Sequence, residues 1–561
     1  MSPAALDAMP VGSTSGPPFA ARLVRDVPAE RAAPWAVLAL ALFLRLWHID
    51  LTRFSNEAVW LLQATNDFIK TGHIPLHSGL AFSVGAWAPP LITFLLAPLV
   101  IVSRDPLWIS AGLSALDAFG SVFVFWGARR LTSSTWAGMA AGLAYAAAPA
   151  ALIYGRMVWN VTLVPVLSAV ALWGLIEFWM QRRSLALAVA LVAIGAAAQL
   201  HVVNGIYGVL WLTVAVAGWK YVRWCPLAAA AALLIAVLAP YMVLQLRTGW
   251  ADLHVVDAFL TAPKHIDVEV LDTAGASLGT STFWRFLPTA SGFPWFHFDA
   301  VTWLCVALTS IGLVYAVAVR QFCHAMVAAW LVLPLVLSIR HSVQVAPYYL
   351  LGQVPAASLL QGLGLAGLTD AARRLGRPRL IARTAILAVP AAASAMLVAL
   401  IVLYFQFQTS LAADVRPGTF GIPLRYWRAA ASALGSTTDR EPVYVAEPLD
   451  VGYILPYLTP LPSYRYYSGR QVVVLPREPA WYLAHGDTLA SRFLIDHVGA
   501  PRATITTPNG DMEFGLFEIP GAPDILGGPG FTPLKASIGR SIAFEGYVAG
   551  GGPSPSTCCG G

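Results

Sequence analysis

A cluster of ionisable and amide side chains directly follows the first long apolar segment of the chain. Arg45, His48, Asp50, Asn56 and Glu57 lie close together there, where a membrane helix would emerge into water. Ionisable groups near a membrane surface are costly unless they are solvated or paired, so a cluster of them indicates a functional site. The alternative is a polar anchor that only positions the end of the helix.

Glu57 is the leading catalytic candidate in this cluster. Ser55 can cap a helix that begins near Asn56, which places Glu57 in the first helical turn. The helix macrodipole favours an ionised carboxylate at that position. Such a carboxylate can act as a general base on an acceptor hydroxyl or as a metal ligand. Because Glu is also common in first turns for stability alone, the residue type does not decide between these roles.

The composition indicates a protein that crosses a membrane many times. Of its 561 residues, 57% are hydrophobic and only 11% are charged, and the apolar residues come in segments of helix length. The net charge of +6 arises in short loops, which is a signal of membrane topology and not of nucleic-acid binding. The five cysteines show neither metal-ligand nor disulfide spacing. We therefore predict a polytopic α-helical membrane protein that binds no nucleic acid.

About eleven apolar segments have the length of a membrane span. They lie near residues 33–48, 107–128, 136–154, 161–180, 185–200, 204–219, 225–246, 299–319, 323–339, 348–369 and 384–406. A further stretch, residues 88–102, is short and rich in proline. If it spanned the membrane, the Arg- and Lys-rich loops would face outward, against the positive-inside rule. We therefore predict an interfacial or re-entrant helix there.

This topology divides the chain into four parts in a multi-pass protein of the cell (inner) membrane. Residues 1–32 form a cytoplasmic disordered tail, and residues 33–406 form the transmembrane domain, with 49–106 as its first outer loop. Short β-branched stretches then alternate with helical ones, which predicts an extracytoplasmic α/β domain over 407–522. Residues 523–561 have the composition of a disordered tail.

Within the predicted α/β domain, the pattern distinguishes strands from helices. Strands are expected at 443–446, 471–475, 503–506 and 514–519, and helices near 424–435, 449–458 and 487–498. Neither a glycine-rich phosphate loop nor a nucleophile elbow is present in residues 407–522.

Other polar and aromatic residues fall on the same predicted side of the membrane as Glu57. If the helices form a bundle, their loops converge, and the cations and hydrogen-bond donors among these residues suit a ligand that carries phosphate. Each residue could instead be a helix-end cation or a satisfied cap. These residues are Arg156, Asn160, His201, Arg340, His341, Tyr348 and Tyr349. Asp117 lies in the middle of an apolar span and is expected to be a structural hydrogen-bonding group with a buried partner.

The order of these features resembles the GT-C superfamily of membrane glycosyltransferases. The likeness is to its family-39-like branch, which includes protein O-mannosyltransferases and lipid A aminoarabinose transferase, and it covers roughly residues 33–370. Each motif is weak alone, and the fixed order makes them more specific together. The matching pieces are Arg45, Asn56-Glu57-Ala58, Pro89-Pro90-Leu91, Tyr154-Gly-Arg156-Met-Val-Trp159-Asn160, Gln199-Leu-His201, Arg340-His341 and Pro347-Tyr348-Tyr349-Leu350.

The resemblance implies a GT-C-like bundle and a reaction on the outer face. The expected activity is transfer of a hexosyl or pentosyl group from a polyprenyl-phosphate donor to a lipid, glycan or protein acceptor. The first-loop carboxylate, here Glu57, would stand at the catalytic centre. The substrate-binding set would be Asn56, Arg156, Asn160, His201, Arg340, His341, Tyr348 and Tyr349. A divalent metal ion is the one cofactor left open.

The sequence departs from the family pattern at two acidic positions. Asn56 and Asn160 stand where the family has acids that are assigned to base or metal roles. An amide binds a hydroxyl or a metal but cannot accept a proton at neutral pH. Two alternatives therefore stay open beside the enzyme: a GT-C-like binding protein with altered catalysis, and a transporter or flippase of lipid-linked sugars.

Overall fold

The computed structural model describes most of the chain between residues 28 and 548. The described residues are 28–519, with gaps at 83, 287–298, 343–344, 375–378, 414–419, 437–441, 448–451, 461–462, 471 and 477, followed by 531–538 and 542–548. The chain forms two compact units. The first contains residues 1–49, 60–285 and 289–407, and the second contains 50–59, 286–288 and 408–561.

The first unit is built almost entirely from helices. Their bounds are α1 Pro28–Leu46, α2 Asn56–Thr71, α3 Leu91–Val102, α4 Pro106–Ala118, α5 Gly120–Thr132, α6 Thr135–Ala146, α7 Pro149–Tyr154, α8 Val164–Gln181, α9 Ser184–Leu200, α10 Tyr207–Ala217, α11 Trp224–Arg247, α12 Ala251–Thr261, α13 Glu269–Leu278, α14 Ser281–Trp284, α15 Ala300–Ala318, α16 Phe322–Ser338, α17 Val354–Arg374 and α18 Arg379–Ala413. The unit also contains two short strands, β1 (His265–Ile266) and β2 (Arg340–His341), which pair antiparallel with each other. The first turn of α2 and the last residues of α18 belong to the second unit.

Five helical segments among the described residues are long and apolar enough to cross a membrane. They are Pro106–Thr132, Asn160–Gln181, Trp224–Arg247, Ala300–Ala318 and Ala391–Ala413. The prediction of a helical membrane protein is confirmed, but this set does not establish the predicted number of eleven spans. Part of the difference between eleven predicted spans and these five segments arises because some predicted spans are broken into shorter helices. The segment 136–154, for example, breaks before Pro149, which opens α7 because proline lacks the amide hydrogen needed to continue a helix.

A buried ion pair joins α1 to α4 in the first unit. The Arg45 Nε donates to Asp117 Oδ2 at 2.8 Å, and neither side chain is exposed. The Tyr145 hydroxyl donates to the other carboxylate oxygen at 3.0 Å. A Cβ on Gly155 would lie 2.8 Å from Asp117 Oδ2, so only glycine allows this close approach. Asp117 therefore has the buried partner that its position in an apolar span requires.

The second unit contains a five-stranded mixed sheet. Its strands are β3 Val443–Glu447, β4 Tyr464–Ser468, β5 Ala480–His485, β6 Ala503–Thr506 and β7 Met512–Ile519, in the order β4-β3-β5-β7-β6. Strand β3 pairs parallel with both β4 and β5, and β7 runs antiparallel to both β5 and β6.

Three helices accompany this sheet: α19 Leu424–Gly435, α20 Ile454–Leu458 and α21 Leu489–His497. Helix α19 is amphipathic, since its buried residues recur at helical spacing. They are Leu424, Tyr426, Trp427, Ala430, Ala431 and Leu434. The Trp427 ring lies 5.1 Å from the Phe514 ring of β7.

Two sequence expectations differ from the structure in this unit. The strand predicted at 471–475 is wrong: residues 472–476 form no strand, and Val472 is exposed. The ladder instead uses the tyrosine-rich β4 and the unpredicted β5, because pairing with β3 outweighs a local preference of valines for strands. Strands Phe531–Ile538 and Ile542–Val548 pair antiparallel inside the predicted disordered tail.

Candidate functional site

The predicted site residues are divided between the two compact units. Asn56 and Glu57 belong to the second unit. The others belong to the first: Arg156, Asn160, His201, Arg340, His341, Tyr348 and Tyr349. Each group has its own geometry.

Glu57 lies in the first turn of α2, as the sequence predicted. The helix begins at Asn56, and the Val59 amide donates to the Ser55 carbonyl at 3.2 Å. The following turns bury apolar side chains, among them Leu61, whereas Glu57 is half-buried. Its carboxylate makes no hydrogen bond or ion pair with any described residue, so both oxygens remain available to a ligand. This is the arrangement that a general base or a metal ligand requires.

An aromatic cluster lies in the first unit, at the ends of several helices. It consists of Tyr154, Trp159, His201, Tyr348 and Tyr349. The rings of Trp159 and Tyr348 are 4.8 Å apart, and His201 lies 4.8 Å from Tyr349. Tyr154 lies 6.4 Å from Tyr348. Three sequence-distant loops thus meet, as expected for a helix bundle.

Amide side chains fix the turn that carries His201. The Asn160 Nδ2 donates to the Leu200 carbonyl at 2.9 Å, and the Asn204 Nδ2 donates to the His201 carbonyl at 2.9 Å. Both asparagines are buried. Buried amides satisfied in this way hold the backbone of the turn in one conformation.

Stacked rings and a glycine hold the segment that carries the two tyrosines. This segment is a 3-10 helix, Pro347–Gln353. The Trp330 Nε1 donates to the Gly352 carbonyl at 2.9 Å, and the Trp330 ring stacks on Tyr207 at 3.9 Å. A Cβ on Gly352 would clash with Asn204, which explains why this close approach uses glycine.

His201 is a neutral group in this environment. Its side chain is buried, and burial lowers its pKa to about 4. The imidazole is therefore uncharged at pH 7 and can offer a ligand one hydrogen bond but no positive charge. Its Nδ1 has no hydrogen-bond partner within the described part of the chain. The predicted contact of His201 with substrate stays a prediction.

Arg156 is buried and makes several contacts with protein groups. Its Nη2 donates to the carbonyls of Trp47, at 3.1 Å, and His48, and its Nη1 donates to the Tyr404 hydroxyl. The Tyr404 hydroxyl in turn donates to the Leu44 carbonyl at 2.8 Å. The guanidinium therefore holds the end of α1, and its predicted contact with substrate stays a prediction.

Arg340 and His341 occupy β2, opposite β1. The Arg340 side chain is exposed and makes no hydrogen bond or ion pair with the described residues, so its charge is available to an anion. His341 is buried, and its Nε2 lies 3.1 Å from Asp267 Oδ2. The His265 ring lies 4.9 Å from that of His341, directly across the strand pair.

His265, Asp267 and His341 form a group that could hold a metal ion. One ligand atom from each residue lies within 4.8 Å of the others. Two imidazoles and a carboxylate form a donor set that Zn²⁺ accepts. The His341 Nδ1 has no hydrogen-bond partner among the described residues. His265 and Asp267 are not among the residues predicted from the sequence, although a His-x-Asp pattern places both side chains on one face of an extended segment.

Comparisons with known proteins give a fold but no sequence family. Neither a family model nor a curated protein matches the sequence. ArnT from Cupriavidus metallidurans bound to undecaprenyl phosphate has a TM-score of 0.50 and 13% identity, over 89% of this chain and 98% of that one. The Archaeoglobus fulgidus oligosaccharyltransferase tethered to an acceptor peptide has a TM-score of 0.45 and 12% identity, over 78% of this chain and 63% of that one. The likeness to ArnT confirms, at the level of fold, the predicted resemblance to GT-C glycosyltransferases.

Proposed function

We propose that the protein is an integral membrane glycosyltransferase. It transfers a sugar from a polyprenyl-phosphate-linked donor to a lipid, glycan or protein acceptor on the extracytoplasmic face. The observation that carries the proposal is the fold shared with ArnT bound to undecaprenyl phosphate, which covers 89% of this chain and 98% of that one. Because nearly all of the ArnT chain is matched, the likeness includes more than a few apolar helices.

Glu57 is the proposed general base. The acceptor oxygen forms a bond to the anomeric carbon while the bond from that carbon to the phosphate oxygen breaks. The polyprenyl phosphate leaves with the electron pair, and the acceptor proton passes to the Glu57 carboxylate. The open oxygens of Glu57 support this role, since a base must reach its proton without first breaking an internal ion pair.

The aromatic cluster and Arg340 are proposed to bind the donor. Tyr348 and Tyr349 lie against His201 and Trp159, and ring faces of this kind suit a sugar ring or an isoprenoid chain. Arg340 is assigned to the phosphate because its side chain is exposed and makes no hydrogen bond or ion pair with another described residue. The remaining members of the proposed substrate-binding set are Asn56, Arg156, Asn160 and His341.

A divalent cation is proposed at His265, Asp267 and His341. Its charge, when bound, would fix β1 against β2, next to Arg340 in the sequence. Each of the two strands has only two residues, and so short a strand pair gains little stability from its own hydrogen bonds. The proposed role is therefore to hold the two strands together and not to carry out the transfer.

The decisive test is transfer of label from polyprenyl-phosphate sugars by the purified full-length protein in lipid nanodiscs. Glu57→Gln keeps size and hydrogen bonding but removes the proton acceptor, so transfer should fall about 10²–10⁴-fold. Asp67→Asn is the matched control, because Asp67 is an exposed carboxylate on the same helix. Full activity in Glu57→Gln would place the base elsewhere.

The proposed orientation has its own test. With the N-terminus cytoplasmic and residues 407–522 outside, single cysteines at Ile74 and Asp487 should react with an impermeant reagent in intact cells. A cysteine at Arg183 should react only after lysis. Ile74 and Arg183 are exposed, and Asp487 is half-buried with 38% of its side-chain surface accessible. The background must lack Cys225, which is exposed, and the tail cysteines Cys558 and Cys559. Protection of the Asp487 site in intact cells would contradict the orientation.

A second function, binding of a lipid-linked sugar without transfer, is favoured by one observation. The amide of Asn160, at a family acidic position, is engaged with the Leu200 carbonyl, and Asn56 replaces the other acid. If wild type binds donor but does not transfer it, while Asn56→Asp gains transfer, the protein is a binding relative of the enzymes.

A further inference from the structure

The segment that leads into Glu57 packs with residues more than 360 positions later in the chain. Asp50–Val59 belongs to the same compact unit as residues 408–561. Asp50 and Leu51 complete a turn of 3-10 helix that begins at Ile49, and α2 begins at Asn56. Residues 52–55 therefore belong to no helix or regular strand, and their conformation depends on what they contact.

Backbone pairing supplies the first contact. The Leu424 amide, at the start of α19, donates to the Thr52 carbonyl at 2.9 Å. Arg53 and Pro423 form an antiparallel β-bridge beside that bond. The segment therefore lies along the chain just before α19, as a short added strand would.

Side chains supply two more contacts on either side of this bridge. The Arg425 Nε donates to Asp50 Oδ2 at 2.6 Å, and each side chain is about one-third exposed. The Phe54 ring, which is 2% exposed, lies 6.1 Å from the Tyr457 ring near the end of α20. An ion pair, a β-bridge with its backbone bond and a buried ring thus hold four of the five residues 50–54, which end two residues before Asn56.

We propose that Arg425 is a positioning residue for Glu57, acting through Asp50. The proposal rests on the function proposed for Glu57 and assigns Asp50 a structural task instead of a catalytic one. Arg425 lies in the first turn of α19. Its ion pair with Asp50 therefore fixes residues 50–55 relative to that helix. The α/β part of the second unit then serves as the support on which the first turn of α2 is aligned.

The expected consequence for stability is small and that for catalysis is large. A partly exposed ion pair contributes little to folding. Displacement of a catalytic group by about 1 Å can slow a reaction about 10²-fold, because the reacting atoms lose their alignment. Arg425→Gln should therefore give a folded protein with a disturbed segment.

Hydrogen exchange tests the positioning without any activity. Peptides that cover residues 50–56, and the one that reports the Leu424 amide, should exchange about tenfold faster in Arg425→Gln and in Asp50→Asn. Arg492→Gln is the matched control, because it removes an exposed ion pair with Asp487, 4.0 Å long, from the same unit. Unchanged exchange in Arg425→Gln would overturn the inference.

Transfer kinetics test the link to Glu57. Arg425→Gln should lower kcat about 10–100-fold with little change in KM for the donor, and Arg425→Lys should recover part of the rate. The double variant Asp50→Asn/Arg425→Gln should be no worse than either single variant, since both break one interaction. A much larger loss in Asp50→Asn than in Arg425→Gln, with a changed pH profile, would make Asp50 a base and overturn the inference.

Together, the hydrogen-exchange and kinetic experiments distinguish failure of this inference from failure of the proposed function. Faster exchange with unchanged kcat would overturn the positioning role and leave the enzyme in place. Wild-type protein that transfers no sugar would overturn the proposed function, while the exchange data would still establish whether Arg425 orders residues 50–56.

Discussion

Two Arg–Asp pairs in this protein have the same chemistry and different surroundings. Arg45 and Asp117, in the first unit, are 2.8 Å apart and fully buried, with Tyr145 completing the carboxylate shell. Arg425 and Asp50, in the second unit, are 2.6 Å apart and one-third exposed. Burial therefore decides what each pair does: the first is part of the core, whereas the second orients a segment that has little structure of its own.

The difference follows from the cost of removing charge from water. Two fully buried charges lose their hydration, and they are tolerated only because each satisfies the other. Two charges that are one-third exposed keep part of their hydration, so each depends less on the pair for stability. An exposed pair can nevertheless select one geometry of a loop, and that is a local effect that stability measurements hardly detect.

The largest expected effect is loss of the buried pair. Arg45→Met leaves the Asp117 carboxylate uncompensated in an apolar interior, which costs about 3–5 kcal/mol of unfolding free energy. Thermal unfolding of the full chain in detergent measures this as a large fall in Tm or as loss of folded yield. Arg45→Met/Asp117→Leu removes both charges and should recover much of the loss. Equal damage in the single and double variants would show that the charges are not what matters.

The next effect concerns pH and His201, which is buried, like the Arg45–Asp117 pair, but carries no charge. Because its folded pKa is about 4 and its unfolded value about 6.5, the unfolded state binds the proton more readily. The contribution of His201 to stability is complete above pH 6.5 and declines as the pH falls towards 4. The total loss is about 3 kcal/mol, at about 1.4 kcal/mol for each pH unit.

Denaturant unfolding between pH 4 and 7 measures this effect of His201. His201→Gln should flatten the slope between pH 6.5 and 4, since it removes the titrating group. His73→Gln, at an exposed histidine of the same unit, should leave the slope as in wild type. A slope that survives in His201→Gln would show that other groups cause the acid sensitivity.

Much of the local structure could be predicted from the sequence, because local patterns have local causes. Helix α2 begins at Asn56, where the sequence predicts its start, and α19 has the bounds 424–435 that its periodicity indicates. The need of Asp117 for a partner was also evident from its apolar neighbours. The partner itself, 72 positions away, was not, because no spacing rule records which helices pack together.

The same limit explains what was missed in the candidate site. The sequence places residues 49–106 in one loop of the membrane domain, whereas 50–59 packs in the second unit through contacts with residues 423–425 and Tyr457. His265 and Asp267 were not predicted, because His341, which lies beside them in the structure, is far away in the sequence. Contacts between residues that are far apart in the sequence produce no periodic pattern from which they could be predicted.

The proposed metal site should have an intermediate effect on stability. If Zn²⁺ binds His265, Asp267 and His341, free zinc at a hundredfold excess over Kd stabilises the folded state by about 2.7 kcal/mol. Thermal unfolding with and without zinc should show a rise in Tm that disappears in His265→Ala and in His341→Ala. His254→Ala, at an exposed histidine of α12, is the control and should keep it. A rise that is the same in all variants would place the zinc elsewhere.

The smallest expected effect on stability is loss of the partly exposed Arg425–Asp50 pair. Arg425→Gln should reduce unfolding free energy by at most about 1 kcal/mol, because both partners regain water when the pair is broken. The loss should shrink further in high salt, which screens exposed charges but hardly affects a buried pair such as Arg45–Asp117. Denaturant unfolding at two salt concentrations, run beside Arg45→Met, measures both responses. A loss in Arg425→Gln as large as that in Arg45→Met would mean that the second unit depends on this pair to fold, and its proposed task of orienting the Glu57 segment could then not be separated from stability.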